Sequence, residues 1–395
     1  MTHPATRPVA SFDPMNLLIW GDTVTRPELR HEVPLLIADP FLYLESDGQR
    51  VVVTNALEDE RIAQAAPELE RLLVDALGRD ELIAAGCSYF ETSQELCVRA
   101  AERLGIRDAL VPSEFPLAIA DRLSAAGVEL VADDGPFTER RRHKTGPEMA
   151  GIRRATAAGL DALRAAAAML REAEIRDGEL HRDGVRLTSE AVRERMREVC
   201  GRAGAPAPPD IMVKPMGPDP RIGHYAGFGP LPAHAPILID LWPCDEESGC
   251  WSDMTRTFVR GEISDAVAEL HALVLTAHEQ ARAAARPGIT GAELYGVAAG
   301  VIEAAGHPTA RTKRAGETLR EGFYAGLGHG VGLQIHEAPV LGLTGHDPLI
   351  AGDVIAVEPG TVVRSIGGVR VEDVWIVTDD GPESLTDEFP HGLTP

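Results

Sequence analysis

Apolar residues follow two kinds of spacing in the first part of the chain, and each spacing predicts a different element. Short apolar runs bounded by turn residues predict strands at 34–38 and 50–55. Leu, Ala and Val recur at helical spacing and predict helices over 57–78 and 93–105. A further helical run ends at Gly127 and is followed by an apolar run typical of a strand. Helices alternating with strands predict a smaller α/β domain at the N-terminal end.

From Glu148 onward, helical and extended patterns come in alternating blocks. Helical spacing predicts four helices, at 148–174, 188–200, 264–285 and 290–305. Extended apolar runs predict five strands, at 211–214, 236–242, 250–259, 353–363 and 369–377. A helix pair, strands, a second helix pair and more strands predict an α+β domain with two similar halves around one sheet.

A run of basic residues, 140–144, marks the boundary between the two parts. It leads into Thr145, Gly146 and Pro147, which have the composition of a helix start. We interpret the basic run as solvated charges at a domain boundary. The predicted domains are therefore 1–145 and 146–395.

Composition narrows the setting of these domains. Of the 395 residues, 44% are hydrophobic, and the formal net charge is -23. A charge of this sign argues against nucleic acid and anionic membranes as partners. No leader is expected in the first 20 residues and no apolar run reaches the ~20 residues of a membrane span, so we expect a cytoplasmic protein. The five cysteines are expected to be reduced thiols, with Cys244 and Cys250 as loop residues rather than zinc ligands.

Four acidic residues stand inside the predicted strands of the second domain. Asp240 and Asp253 flank turn residues, which predicts a hairpin with both carboxylates on one side. Glu358 and Glu372 flank a second predicted turn near Gly367 and repeat this arrangement. Four carboxylates buried together require positive charge between them, because each ionised group resists desolvation and its neighbours repel it.

Two sources of that positive charge are open. Arg256 and Arg370 are close in sequence and could form a salt-bridge network with the acids. Alternatively, divalent metal ions could bind between the carboxylates. The segment GHGVGLQIHE at 328–337 supplies His329 and His336. Four acids and an imidazole suit Mn²⁺, and with less selectivity Co²⁺, Fe²⁺ or Zn²⁺, and two ions would offset four charges.

The ordered motifs resemble those of the pita-bread metallopeptidases, the family of methionine aminopeptidase, aminopeptidase P and prolidase. The resemblance spans about residues 148–380. It is carried by Asp240, SDMTRT with Asp253, GHGVGLQIHE with His329 and His336, EPG with Glu358, and GGVRVED with Glu372. It implies a curved antiparallel sheet flanked by helices in the C-terminal domain. The smaller N-terminal domain resembles the non-catalytic domain of prolidase and aminopeptidase P.

The resemblance implies a role for each motif residue. Asp240 would bind one metal, Asp253 and Glu372 would bridge two, and His329 and Glu358 would complete the second. A hydroxide between the ions would be the nucleophile, and Glu358 would accept a proton from its water. His336 would hydrogen-bond the tetrahedral intermediate. His224 would contact the scissile amide or carbonyl, with His234 as the competing candidate.

Residues beside the ligands are expected to orient them. Thr255 and Thr257 lie at even spacing from Asp253, so both share its face, where a hydroxyl can hold a carboxylate. Arg370 lies two residues from Glu372 and is expected to orient an acid ligand, with a substrate contact as the alternative.

The chain departs from the family pattern at two points that concern substrate. The turn between Asp240 and Asp253 is longer by two residues, and Trp242 could line the rim of the pocket. Val340 stands where some prolidases carry an arginine associated with the substrate carboxylate, which weakens a strict dipeptidase assignment.

The resemblance therefore implies a dinuclear metallohydrolase that cleaves the N-terminal Xaa-Pro bond of peptides or dipeptides. Its expected partners are a small peptide with proline at the second position and a second copy of the chain in a homodimer. One alternative is hydrolysis of another small C–N bond, as in creatinase on the same fold. A second alternative is a non-catalytic binding module that has kept the fold.

Overall fold

The computed structural model describes residues 16–395, which form two compact units that divide between Arg141 and Arg142. Most of the segment inspected for a leader, residues 1–15, lies outside this range. Within residues 16–395, none of the helices combines the length and apolar character needed to cross a bilayer.

The first unit contains a six-stranded mixed sheet with helices. Its strands are β1 (Leu17–Gly21), β2 (Phe41–Ser46), β3 (Gln49–Thr54), β4 (Glu70–Leu73), β5 (Asp108–Val111) and β6 (Glu129–Ala132), in the spatial order β4-β3-β2-β1-β5-β6. Its helices are α1 (Pro27–Glu32), α2 (Ala56–Ala65), α3 (Arg79–Ala84), α4 (Tyr89–Arg103), α5 (Leu117–Ala125) and α6 (Gly135–Arg142). Alternate residues of β1 enter different apolar clusters, Leu18 in one and Ile19 in the other, so the sheet is covered on both faces.

Two predicted elements of this unit are wrong. The helix predicted over 57–78 ends at Ala65, because Pro67 has no N–H to continue it, and the chain then forms β4 beside β3. The strand predicted at 34–38 is irregular backbone. There, Ile37 exchanges hydrogen bonds with Thr23 at 3.0 and 2.7 Å, so its main chain is satisfied without a ladder.

The second unit contains four helices and thirteen strands. The helices are α7 (Gly146–Glu172), α8 (Ser189–Arg202), α9 (Asp265–Ala284) and α10 (Gly291–Ala304). The strands are β7 (Glu174–Arg176), β8 (Glu179–Arg182), β9 (Val185–Arg186), β10 (Met212–Pro215), β11 (Pro236–Leu241), β12 (Met254–Val259), β13 (Gly328–Gly330), β14 (Glu337–Leu341), β15 (Val354–Val357), β16 (Gly360–Val363), β17 (Gly367–Arg370), β18 (Asp373–Ile376) and β19 (Glu383–Ser384).

The strands of this unit form several antiparallel sheets rather than the one sheet predicted. The largest are β10-β11-β12 and β14-β13-β15-β18-β19, while β16 pairs with β17 and β7 to β9 form a small sheet. Helices α7 and α8 pack on the first sheet around Ile237 and Phe258. Helices α9 and α10 pack on the second around Ile355 and Trp375. A bridge between Thr255 and Glu372 joins the two halves.

Helix α7 begins as its sequence predicts. The Thr145 hydroxyl accepts from the Glu148 N–H at 3.3 Å, and the Glu148 carboxylate accepts from the Thr145 N–H at 2.8 Å. The basic run before it was wrongly interpreted as solvated. Arg142 is buried and binds both oxygens of Asp353, at 3.0 and 2.7 Å. Lys144 binds Glu337 at 2.5 Å.

Candidate metal centre

Two neighbouring strands bring Asp240 and Asp253 to one face of the first sheet. Asp240 lies in β11, and its partner across the ladder is Thr255 of β12. Asp253 comes two residues before Thr255, so strand alternation puts it on the same face. Asp240 is 2% exposed and Asp253 is 6% exposed. The predicted hairpin is therefore present, with both acids buried.

Glu358 and Glu372 lie where a long ribbon of strands is interrupted. Val357 pairs with Asp373 and Gly360 pairs with Arg370, so two residues on each strand between these pairs leave the ladder. Pro359 has no N–H to donate, which suits the break. The acids were predicted inside continuous strands, and that detail is wrong. At the break, the Glu372 N–H donates instead to the Thr255 carbonyl at 3.1 Å, which ties this point to the sheet of Asp240.

His329 enters from the interior strand β13, between β14 and β15. It is flanked by glycines because its neighbours leave no room for a Cβ. A Cβ on Gly328 would lie 1.9 Å from the Ala356 carbonyl oxygen, and one on Gly330 would lie 2.0 Å from that of Ala338. The close approach lets the imidazole of His329 reach the acids of the other strands.

The structure brings Asp253, His329 and Glu372 together, with one ligand atom from each within 4.8 Å of the others. His329 Nε2 lies 3.7 Å from Asp253 Oδ2 and 3.9 Å from Glu358 Oε1. Its Nδ1 lies 3.1 Å from the Gly330 carbonyl, which fixes the ring when Nδ1 carries the proton. Burial lowers the pKa of His329, which favours the neutral imidazole that a metal requires.

The carboxylates of this cluster lack full compensation. Burial, and then the charge of Glu372, raises the pKa of Asp253 well above its ordinary value. Burial, and then Glu358, does the same for Glu372. Asp253 Oδ1 is buried and has no hydrogen-bond partner among residues 16–395. An orphaned buried oxygen beside a neutral imidazole and further acids is the donor set that divalent cations bind.

Arg370 contacts the two outer acids of the cluster. Its Nη1 donates to Glu358 Oε2 at 3.0 Å, and its Nη2 contacts Asp240 Oδ2. The alternative in which arginine offsets the charge of the acids therefore holds for Asp240 and Glu358. In the part of the chain that the structure describes, neither Asp253 nor Glu372 makes an ion pair with Arg or Lys. One guanidinium offsets one negative charge of four, so the charges of the two inner acids are not offset by a cationic side chain of their own.

The two threonines of β12 support different groups. Thr255 Oγ1 lies 3.0 Å from Asp240 Oδ1 and 2.7 Å from Glu372 Oε2, and it accepts from Arg370 Nε at 3.0 Å. Its hydroxyl thus contacts two acids of the cluster. The Thr257 hydroxyl accepts from the Arg370 N–H at 3.1 Å and donates to its carbonyl at 2.9 Å. It contacts no carboxylate, because the register places the backbone of β17 opposite it.

A second cluster lies behind Glu372 and was missed by sequence reasoning. The carboxylate of Asp373 binds Arg256 at 2.8 Å, His391 Nε2 at 2.7 Å and Thr386 at 2.7 Å, and lies 3.1 Å from His278 Nε2. Burial alone would raise the pKa of Asp373, but these donors hold it well below its ordinary value. The arginine proposed from sequence as a partner of the metal acids, Arg256, serves this cluster instead.

The remaining predicted histidines lie at the open side of the centre. His336 is exposed, and its ring centroid lies 4.2 Å from that of His329. Partial desolvation of its ring, and then the nearby His329, lower the pKa of His336. His224 lines a cavity of ≈ 120 Å³ together with Glu358 and Arg370. His234 accepts instead from the Glu262 N–H at 2.9 Å and does not line that cavity, which favours His224.

The cavity has apolar walls and contains one cation that sequence reasoning overlooked. Its apolar wall residues include Met212, Leu238, Phe323, Val362 and Val369. Lys214 of β10 also lines it. The sequence does contain a signal for this lysine, since a charged residue in the apolar run IMVK at 211–214 is as unusual as Asp240 in its strand. Trp242, expected at the pocket rim, packs on the α7 and α8 core and is absent from the cavity wall.

Comparison with known proteins finds similar sequences in one peptidase family. The sequence model of metallopeptidase family M24 matches residues 150–379, more than half of the chain. The Xaa-Pro dipeptidase of Pyrococcus horikoshii is 38% identical over 150 residues, 38% of this chain and 39% of that protein. The Xaa-Pro dipeptidase of Lactobacillus delbrueckii subsp. lactis is 36% identical over 151 residues, 38% of this chain and 37% of that protein. The aligned part thus spans about two fifths of the length of these curated relatives.

Solved structures extend the similarity of fold over nearly the whole chain. An Xaa-Pro dipeptidase from Bacillus anthracis superposes with a TM-score of 0.75 at 22% identity, covering 96% of this chain and 94% of that one. An X-Pro aminopeptidase from Thermotoga maritima gives 0.74 at 23% identity, covering 95% and 96%. Together with the family match, these likenesses confirm the predicted α+β class and pita-bread fold.

Proposed function

Since the chain belongs to metallopeptidase family M24, we propose that it is a dinuclear-metal hydrolase that cleaves the N-terminal Xaa-Pro bond of peptides or dipeptides. The observation that carries the proposal is the meeting of Asp253, His329 and Glu372 within 4.8 Å, with a buried, unpartnered Asp253 oxygen. The names of the curated relatives, Xaa-Pro dipeptidases, support the choice of substrate.

Five residues would hold two cations in this proposal. Asp240 would bind one cation and His329 and Glu358 the other, while Asp253 and Glu372 would contact both. When bound, the cations would supply Lewis acidity, which converts water between them to hydroxide at neutral pH and polarises a carbonyl. Mn²⁺ suits a site of four carboxylates and one imidazole, with Co²⁺, Fe²⁺ and Zn²⁺ as alternatives.

The chain's own side chains would handle protons and hold the substrate. Glu358 is proposed as the proton acceptor, since its carboxylate lies beside the cluster, with Oε1 3.9 Å from His329 Nε2, and it also lines the cavity. Arg370 holds Glu358 Oε2 and so fixes the carboxylate. His336 would hydrogen-bond the attacked carbonyl oxygen, and His224 would contact the scissile amide from the cavity wall.

The cavity suits the chemistry of proline. A tertiary amide has no N–H, and the pyrrolidine ring is rigid and apolar, so recognition depends on shape and apolar contact rather than on a hydrogen bond. Met212, Leu238 and Val369 offer such walls beside Glu358. We further propose a cytoplasmic location and a homodimer.

The test of this function is reconstitution. We expect protein stripped with a chelator to be inactive, and Mn²⁺ to restore hydrolysis of Gly-Pro, Ala-Pro or Ala-Pro-Ala, with metal content measured by mass spectrometry. Dipeptides and the tripeptide separate a dipeptidase from an aminopeptidase. Turnover that persists with no bound metal, or no cleavage of any Xaa-Pro substrate with Mn²⁺, Co²⁺, Fe²⁺ or Zn²⁺, would disprove the proposal.

Thr255 provides a subtler prediction for the same centre. Thr255→Val keeps the shape of the side chain but removes the hydroxyl that lies between Asp240 and Glu372. We expect about a 10–100-fold loss of Mn²⁺ affinity, the range seen when a group that orients metal ligands is removed. Calorimetric titration of stripped protein measures this loss. Thr276→Val is the matched control, because that hydroxyl donates only to the Ala272 carbonyl on an exposed helix face. Equal affinity in the two variants would contradict the assignment.

A further inference from the structure

A lysine in the wall of the cavity makes no ion pair among the described residues. Lys214 is only 6% exposed, yet its ammonium makes no ion pair with any residue in the range 16–395. Its recorded contacts are a hydrogen bond from Nζ to the Gly223 carbonyl at 2.9 Å and the face of Tyr225, whose centroid lies 5.0 Å away. A buried cation with a single neutral acceptor and an aromatic face is incompletely compensated.

The position of Lys214 is fixed relative to the metal centre by strand register. Lys214 pairs with Leu238, which comes two residues before Asp240 on β11. Lys214 and Asp240 therefore point from the same face of the sheet, in rows about 7 Å apart. The other cation of the cavity wall, Arg370, is already bound to Asp240 and Glu358. Lys214 is thus the cation that remains available beside the centre.

We propose that Lys214 binds a carboxylate of the substrate and thereby selects substrates with a negative charge just beyond the scissile bond. This inference rests on the proposed function and names its substrate class. Two sources of that carboxylate are open, the C-terminus of a Xaa-Pro dipeptide and an acidic side chain of the residue after proline. Burial, and then the charge of Arg370, lowers the pKa of Lys214 to about 8, while the charge of Asp240 opposes this shift.

The lengths of a bound dipeptide agree with this assignment. Three backbone bonds separate the scissile carbonyl carbon from the carboxylate carbon of proline, about 3 Å with the proline φ held near −65° by its ring. A charge-assisted hydrogen bond to an ammonium adds about 3 Å. Their sum is of the same order as the ~7 Å between the rows of Asp240 and Lys214. In the sequence, Val340 stands where some prolidases carry an arginine, which weakened a dipeptidase assignment. In this proposal, Lys214 supplies the missing cation.

The proposal is tested by pairs of substrates that differ only in charge. For Mn²⁺-loaded full-length protein, two ratios of kcat/KM are measured. The first is kcat/KM for Ala-Pro divided by that for Ala-Pro amide. The second is kcat/KM for Ala-Pro-Asp amide divided by that for Ala-Pro-Asn amide. We expect Lys214→Met to lower the first ratio at least tenfold, chiefly through KM, and Lys214→Arg to restore part of it. A fall in the second ratio alone would assign the carboxylate to a side chain. If neither ratio changes by more than about threefold, Lys214 has no such role.

A matched control and a binding readout separate this proposal from the function on which it rests. Lys313→Met removes an exposed lysine that contacts only the Glu317 carbonyl and should leave both ratios unchanged. Binding of L-proline and of L-prolinamide, measured by calorimetry, needs no turnover. Lys214→Met should weaken proline at least tenfold more than prolinamide, and Lys214→Gln replaces it if the methionine variant does not fold.

The combined results identify which idea fails. Wild-type protein that cleaves no Xaa-Pro substrate but binds proline through Lys214 would disprove the function and keep the carboxylate site. If wild-type protein cleaves these substrates and the Lys214 variants give the same ratios, the function is kept and the carboxylate site is disproved.

Discussion

Asp253→Asn is expected to abolish metal-dependent hydrolysis and to stabilise the metal-free protein. The variant keeps the size of the side chain but loses the charge that would contact both cations, so we expect kcat to fall at least ~1,000-fold, the scale of losing a principal catalytic group. Without metal, the same carboxylate is buried beside Glu372, Asp240 and Glu358. Replacing it with a neutral amide, which can donate to those acids, should raise the free energy of unfolding by about 1–3 kcal/mol at pH 7.5.

Activity and stability should therefore move in opposite directions in one variant. Kinetics of Mn²⁺-loaded protein and thermal unfolding of chelator-stripped protein measure the two effects. Asp210→Asn, at an exposed position of the same unit, is the control and should change neither. An active Asp253→Asn enzyme would remove this residue from the centre. An inactive variant that is also less stable without metal would show that its carboxylate serves the fold instead.

Arg256→Met is expected to lower the free energy of unfolding by about 3–5 kcal/mol, the cost of removing one partner of a buried ion pair. Arg256 is 1% exposed and binds Asp373 at 2.8 Å. It also donates to three main-chain carbonyls, those of Thr255, Glu372 and Phe389, at 2.9, 2.7 and 3.1 Å. Its loss removes a donor from each of these carbonyls, of which that of Thr255 keeps the Glu372 N–H, and removes the guanidinium charge that compensates Asp373.

Urea denaturation followed by tryptophan fluorescence measures this loss, since Trp375 lies next to the cluster, with its ring centroid 5.0 Å from that of His278. Arg282→Met is a matched control. Arg282 also binds an aspartate, Asp387, through two nitrogens at 2.9 and 2.7 Å, but the pair is 36% and 47% exposed. Screening by water should limit its effect to about 1 kcal/mol or less. Equal effects of the two substitutions would contradict the structural role of Arg256.

The parts of the fold that were predictable are those where a local pattern is unambiguous. Helix α7 has a cap, a capping box and a long apolar stripe, and it begins where those signals place it. The pairing of β11 with β12 followed from apolar strands around a turn. The region 57–78 failed because its Leu and Ala residues fit a helix equally well. Contact with β3, a tertiary effect, makes the part after Pro67 a strand.

The candidate site was predictable in its residue types and less so in its contacts. Acids in apolar strands and a histidine between glycines are visible in sequence. The assignment of Arg370 to the outer acids, and of Arg256 to Asp373, depends on which residues leave the ladder at the ribbon break. Apart from Pro359, no pattern in the sequence indicates that break. Likewise, Lys144 and Arg142 look solvated in sequence because their acidic partners lie about 200 residues away.

The break in the ladder also makes this centre sensitive to a one-residue shift of a strand. Glu372 and Asp373 are consecutive, yet one faces the uncompensated acids and the other faces Arg256 and two histidines. A shift of β18 by a single position would exchange the two carboxylates and leave each in the wrong electrostatic surroundings. Insertions or deletions of one residue between Arg370 and Asp373 should consequently be far more damaging than changes of length in the surface turn from Val363 to Gly367.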